Sequence, residues 1–205
     1  MPGARIESGE RVTLRTIERE DAEFIQRAHT DPRIRYPLGT VTHKNRNQIE
    51  DHIEEFIEDD SHVHFLVCLD SDSEARSASD HASGRSPRAD AGPGHPDDET
   101  TPIGVVNMTH VDWDRPYLVY WLVPEHHGEG YGKEAVSLVI ESVFRTFDIH
   151  GIGAAAFDYN AASRGLLESL GFTEEGRERE ARFIDGKYRD VYQYGLLRRE
   201  WETTR

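Results

Sequence analysis

The chain has 205 residues, long enough for one domain with a substantial core. Its 39 acidic and 24 basic residues leave a net charge of −15, which speaks against the basic footprint of a nucleic-acid binder. No apolar run approaches the ~18 residues of a membrane span, residues 1–5 hold no apolar signal segment, and the single cysteine permits no internal disulfide, so a cytoplasmic location is expected.

Residues 11–17 alternate as a strand, and residues 20–28 read as a helix that Asp31-Pro32 breaks. A second helix, about 44–57, carries Ile49, Ile53, Phe56 and Ile57 on one stripe. Residues 63–69 form an apolar strand in which Cys68 reads as a small core residue. From 70 to 101 there is no Ile, Leu, Val, Met, Phe, Tyr or Trp. Such a segment cannot bury enough apolar surface to offset its ordering entropy, so it reads as a disordered, solvated insertion in a single domain spanning 1–205. Strands resume at 103–111 and 117–123.

A glycine-rich turn follows, His127-Gly128-Glu129-Gly130-Tyr131-Gly132-Lys133. It opens a helix with Val136, Ile140, Val143, Phe144 and Phe147 on its core stripe. Residues 153–157 read as a buried strand. Asn160 is placed to N-cap a short helix ending at Leu170, with Gly171 at its C-terminal end. Asp185-Gly186 marks a two-residue hairpin between the last two strands.

Glycines between a strand and a helix N-terminus propose a phosphate-bearing ligand. The first helical N–H groups have no intrahelical partner, and the helix dipole is positive there. The spacing excludes a Walker A loop: position 127 is His rather than Gly, and Glu134 follows Gly132-Lys133 where Ser or Thr is required. The dinucleotide fingerprint fails because its third glycine is Lys133.

The pattern instead resembles the pyrophosphate loop of the GNAT superfamily of acetyl-CoA-dependent N-acetyltransferases, with His127 where Gln or Arg is usual. The wider run from Tyr120-Trp121 through Gly132-Lys133-Glu134-Ala135 is similar to the branch that acetylates ribosomal-protein N-termini. So are Asn160-Ala161-Ala162-Ser163, Leu170-Gly171-Phe172 and Glu175-Gly176 further on. The resemblance covers nearly the whole chain outside about 70–101. It implies an α/β (α+β) GNAT fold: a mixed sheet of six to seven strands, about four flanking helices, and a splay between the fourth strand (117–123) and the fifth (153–157).

It also implies roles. Trp121, Leu122 and Val123 would pair with pantetheine through backbone groups, one N–H serving the oxyanion. His127, Gly128, Glu129, Gly130, Tyr131, Gly132 and Lys133 would hold the pyrophosphate. Asn160 would bond pantetheine or serve only as an N-cap. Ser163 occupies the position suggested to protonate the leaving thiolate, or it is a first-turn serine without a chemical role. Arg164 would reach the adenosine 3′-phosphate or sit on a solvated face. The base position, usually Glu, is Tyr117, a poor base near neutral pH. Asp112, His110, Glu125 and a water chain are alternatives.

No metal is expected: His126 and His127 are adjacent, and His110-x-Asp112 lacks a third ligand. The expected acceptor is a primary amine, a protein N-terminal α-amine ahead of a polyamine, aminoglycoside or amino acid. The rival from another class is a non-catalytic acyl-CoA-binding protein, and the chain is expected as a monomer or homodimer. Only three lysines occur. The acidic, Arg-rich composition looks like that of a protein from a high-salt cytoplasm, the alternative being an acidic groove for a cationic amine.

Overall fold

The structure, a computed structural model, describes residues 2–57, 59–70 and 100–203. Eight strands form one sheet in the order β1-β2-β3-β4-β5-β6-β8-β7. They are β1 (Arg5–Ser8), β2 (Thr13–Arg15), β3 (His62–Asp70), β4 (Thr100–Thr109), β5 (Tyr117–Leu122), β6 (Gly151–Phe157), β7 (Thr173–Ile184) and β8 (Lys187–Leu197). All neighbours are antiparallel except β5 and β6. The sheet has one strand more than expected because the amino-terminal segment folds back as a short hairpin. The strand expected at 11–17 contracts to β2, and β1 covers its edge.

The helices are α1 (Ala22–Thr30), α2 (Pro32–Arg35), α3 (Arg46–Ile57), α4 (Tyr131–Thr146), α5 (Ala161–Ser169) and α6 (Arg198–Thr203). α2 starts at the predicted break, with Asp31 accepting a hydrogen bond from Arg33 N and Pro32 at the first position. Ile49 and Ile53 of α3 are buried; the side chains of Phe56 and Ile57 lie outside the described residues. Val136, Ile140, Val143 and Phe144 of α4 are buried, so Ile140→Ala would cost about 2–5 kcal/mol. Phe147 caps that helix and is only partly buried.

Adjacent residues of a strand point to opposite faces, and β5 shows which helix covers which face. The Trp121 ring stacks on Phe24 of α1 at 5.2 Å, and α1 packs with α3. Leu122, next in the chain, reaches α4 and α5, where a Cβ on Gly132 would come within 2.9 Å of Leu122 and 3.2 Å of Leu166. Asp185 (φ 48°) and Gly186 (φ 74°) make the predicted turn between β7 and β8. The insertion lies outside the described residues except at its edges, where Asp70 pairs with Thr100 and so continues the β3–β4 ladder. Among the described residues no helix is long and apolar enough to cross a membrane.

Candidate active site

β5 pairs with β4 along its whole length but with β6 only at Tyr117↔Gly153 and Leu118↔Ala154. Beyond Leu118 the two parallel strands part, as expected of the fourth and fifth strands. Which backbone groups face the gap follows from alternation along a strand. Val123 donates its N–H to Ile103 O of the β4 side at 2.8 Å. Val119 and Trp121 share that direction, so Tyr120 and Leu122 turn their N–H and C=O groups to the gap. Of the three residues expected to offer backbone groups, Leu122 faces it. Val123 does not, because its N–H is taken, and Trp121 does not, because of the pleat. The Leu122 carbonyl already meets His127 Nε2 at 3.0 Å, which ties the glycine loop to the strand.

The loop runs through a 3₁₀ turn, Pro124–His126, into two left-handed glycines, Gly128 (φ 84°) and Gly130 (φ 85°), and Gly130 is the N-cap of α4. As a glycine, Gly130 gives this 16-residue helix no side-chain cap. Its first intrahelical bond is Glu134 N to Gly130 O, so the N–H groups of residues 131–133 lack intrahelical partners. Lys133 lines the adjoining cleft.

Glu134, in that first turn, would repel an anion, but Arg11 neutralises it from the far end of the chain. Its carboxylate accepts from the N–H of Arg11 (2.7 Å) and Val12 (3.2 Å) and from Arg11 Nε (3.1 Å). Arg11 also donates to Glu129 O at 2.7 Å, bracing the loop. The pair is partly exposed and worth no more than about 1 kcal/mol, so its weight is electrostatic placement rather than stability. Glu129 and Tyr131, expected to meet phosphate, do not line the cleft; Tyr131 lies under the Arg11 guanidinium at 5.1 Å.

Asn160 caps α5, its Oδ1 accepting Ser163 N at 3.1 Å, and it also lines the cleft. Ser163 Oγ lies 2.8 Å from the Tyr120 hydroxyl. Burial pushes Tyr120 up to about 12, with the Ser163 bond acting against that rise. Arg164 points elsewhere: its Nε donates to Tyr194 OH at 3.2 Å and its guanidinium covers the Tyr192 ring at 4.0 Å. It does not line the cleft.

The cleft has a volume of ≈990 Å³. One end is the gap and loop. The other is walled by Ile34, Pro37, Leu38, Val41, Phe157, Phe183 and Ile184. Tyr117 stands between, donating to Gln193 Oε1 at 3.3 Å. Burial, then Glu178, raises its pKa, so it stays protonated near neutral pH and is a donor rather than a base. The other base candidates are absent from the lining. His110 stacks on Trp113 at 4.1 Å, and Glu125 pairs with Arg27 (3.2 Å) and Arg33 (3.1 Å). Asp112 is exposed outside the cleft.

A parted strand pair beside an open helix N-terminus is the arrangement that the sequence resemblance implies for an acyl-CoA-dependent transferase. The chain belongs to the acetyltransferase (GNAT) domain family, whose model matches residues 11–173. It is an acyltransferase, and the family's acyl donor is acetyl-CoA. Over 107 residues it is 35% identical to the ribosomal protein uS5-alanine N-acetyltransferase of Escherichia coli, covering 51% of this chain and 55% of that protein. The match thus spans about half the length of that relative. Over 198 residues it is 28% identical to the uncharacterized N-acetyltransferase p20 of Bacillus licheniformis, covering 94% and 96%. Spermidine N-acetyltransferase of Vibrio cholerae, solved with CoA and spermine, superposes with a TM-score of 0.75 at 22% identity, covering 95% of this chain and 99% of that one. That likeness shows the fold alone.

Proposed function

We propose that the protein transfers the acetyl group of acetyl-CoA to a primary amine, and that the amine is the N-terminus of a polypeptide. The observation that carries the acceptor is the charge of the cleft. On a chain of net charge −15, the described residues lining it include Arg33, Lys133 and Arg182 against one carboxylate, Glu178. Such a cleft suits a polyanionic donor and an acceptor with one cationic nitrogen. A polyamine carries several ammonium groups and would call for several carboxylates. The apolar wall suits the side chains that follow a terminal amine.

In this reading Gly128, Gly130, Gly132 and Lys133 hold the pyrophosphate, and the gap-facing backbone groups of Tyr120 and the N–H of Leu122 pair with pantetheine. A gap-facing N–H there stabilises the oxyanion as charge develops on the thioester oxygen. Alignment makes attack effectively unimolecular. Ser163, with Tyr120 behind it, supplies the proton to the departing sulfur. Asn160 Oδ1 is spent on the helix cap, leaving its amide nitrogen for the cofactor.

A second reading, a small-amine acetyltransferase, draws support from the similarity to the Vibrio cholerae spermidine enzyme over nearly the full chain (22% identical over 192 residues). A thiol-release screen in high salt separates the two. Free-amine peptides should be acetylated at the α-nitrogen by mass spectrometry, at rates above those with spermidine or aminoglycosides. Activity confined to polyamines would assign the second reading. Acetyl-CoA binding without turnover on any amine would leave only an acyl-CoA-binding protein.

A further inference from the structure

We propose that Glu178 binds the acceptor's ammonium group and takes its proton, and that Asp190 is the positioning residue that presents Glu178 to the cleft. The inference rests on the acetyltransferase reading and supplies the base that the sequence pattern, with Tyr117 at the usual position, left open.

The ladder between β7 and β8 is regular at Glu178↔Val191 and resumes at Arg182↔Arg189, so residues 179–181 face Asp190 alone. Such a bulge re-aims side chains. Here Glu178 and Arg182 both line the cleft, whereas Glu180, left-handed at φ 50°, joins Arg177, Arg179 and Asp190 around a separate polar hollow. Without the bulge, Glu180 would share the face of Glu178. The buried Asp190 carboxylate holds the distortion, accepting Glu180 N at 2.7 Å through Oδ1 and Arg177 Nε at 2.7 Å through Oδ2.

Glu178 is itself oriented. Gln193 Nε2 donates to its Oε1 at 2.7 Å, and the opposite end of the same amide accepts the Tyr117 hydroxyl. This chain joins β5, where the strands part, to β7. Among the described residues Glu178 Oε2 makes no hydrogen bond, so it remains available to a ligand. Among the described residues, the other charged or imidazole groups of the cleft are Arg33 of α2, His126 of the 3₁₀ turn, His127 and Lys133 of the glycine turn and Arg182 of β7. Among these described residues an ammonium ion has one carboxylate to approach.

The protons balance as follows. The ammonium gives one proton to the Glu178 carboxylate. The freed nitrogen bonds to the thioester carbon, the C–S bond breaks, and sulfur keeps the electron pair. Sulfur takes a proton from the Ser163–Tyr120 hydroxyl pair, the second proton lost by the amide nitrogen restores that pair through solvent, and Glu178 returns its proton to solvent, so one proton is released for each acetyl transferred.

The test compares the parent with Glu178→Gln, Asp190→Asn and the double variant, using a free-amine peptide. Acetyl-CoA affinity by calorimetry should stay within about threefold of the parent, since Glu178 lies away from the glycine turn. At pH 7, kcat/KM for the peptide should fall roughly a hundredfold or more in Glu178→Gln, the scale of acid–base help. That loss should shrink as pH rises towards the α-amine pKa of about 7.7–8.0, where free amine no longer needs a base. Asp190→Asn should show the same pH-dependent loss to a smaller degree, and the double variant should be no worse than Glu178→Gln. An unchanged kcat/KM and pH profile in Glu178→Gln would overturn the proposal, as would a matching loss of acetyl-CoA affinity. A pH-independent, additive Asp190→Asn effect would overturn the positioning role. Failure of the parent to bind acetyl-CoA would sink the acetyltransferase reading beneath it.

Discussion

The hydroxyl of Tyr120 on β5 lies 2.8 Å from Ser163 Oγ in the first turn of α5, joining one side of the gap to the helix that follows β6. Tyr120 also donates to the Ser163 carbonyl at 3.3 Å. A serine held this way has its hydroxyl aimed by a buried phenol that stays protonated. Ser163→Ala should lower kcat roughly ten- to a thousandfold with little change in acetyl-CoA affinity. Tyr120→Phe should show a smaller loss of the same kind. Stopped-flow thiol release beside calorimetry checks both, and parent-like rates in Ser163→Ala would leave that serine a helix-capping partner only.

Gly130→Val should abolish tight acetyl-CoA binding. The position is left-handed (φ 85°), and a Cβ there would sit 3.0 Å from the Arg11 guanidinium. Pantetheine without its phosphates should bind parent and variant about equally weakly. Equal acetyl-CoA affinity of the two proteins would remove the pyrophosphate from this turn.

Replacing residues 71–99 by a two-residue hairpin turn should preserve fold and activity. β3 and β4 are paired as far as Asp70↔Thr100, so their ends are already side by side. A closure change of this size alters stability by only ~0.6 kcal/mol per doubling of loop length. Circular dichroism and turnover of the deletion variant report the result; lost activity with an intact fold would make the insertion part of the site.

Acid should destabilise the protein through the α3 face. His52 is pushed down to about 4 by burial, then by Lys44, His29 and His64, and burial lowers His29 as well. Between pH 6.5 and about 4 the unfolded chain binds a proton at His52 that the folded chain refuses. Stability is therefore fully present above 6.5 and declines as pH falls through that window. Melting curves of His52→Asn should fall less steeply there; parallel curves would remove His52 from the account.

Melting temperature should rise as salt is added from low to molar concentration. Screening relieves repulsion within a chain of net charge −15, over a Debye length that shortens to ~3 Å at 1 M. A flat or falling melting temperature would remove salt adaptation as the reason for the composition.

Much of this molecule is written in local patterns. The α4 stripe, the Asn160 cap, the Gly171 helix end (φ 88°) and the Asp185-Gly186 turn each depend on residues within a few positions of one another. The glycine turn is legible for the same reason, since an anion site at a helix N-terminus needs only a short run of backbone. β1 escaped notice because Ile6, its one large apolar residue, points outward at 49% exposure and leaves no alternation to read.

The chemistry of the cleft was settled by contacts between distant segments. Tyr120 meets Ser163 across 43 positions, and Arg11 meets Glu134 across 123. Arg164 was turned from the cleft by Tyr192 and Tyr194, and Tyr117 was made a donor by its burial. Glu178 became the cleft's carboxylate, among the described residues, because a bulge at Asp190 sent Glu180 away. Periodicity says which residues of a strand share a face. It does not say which strand lies opposite, in what register, or where two strands part, because those follow from packing the whole sheet at once.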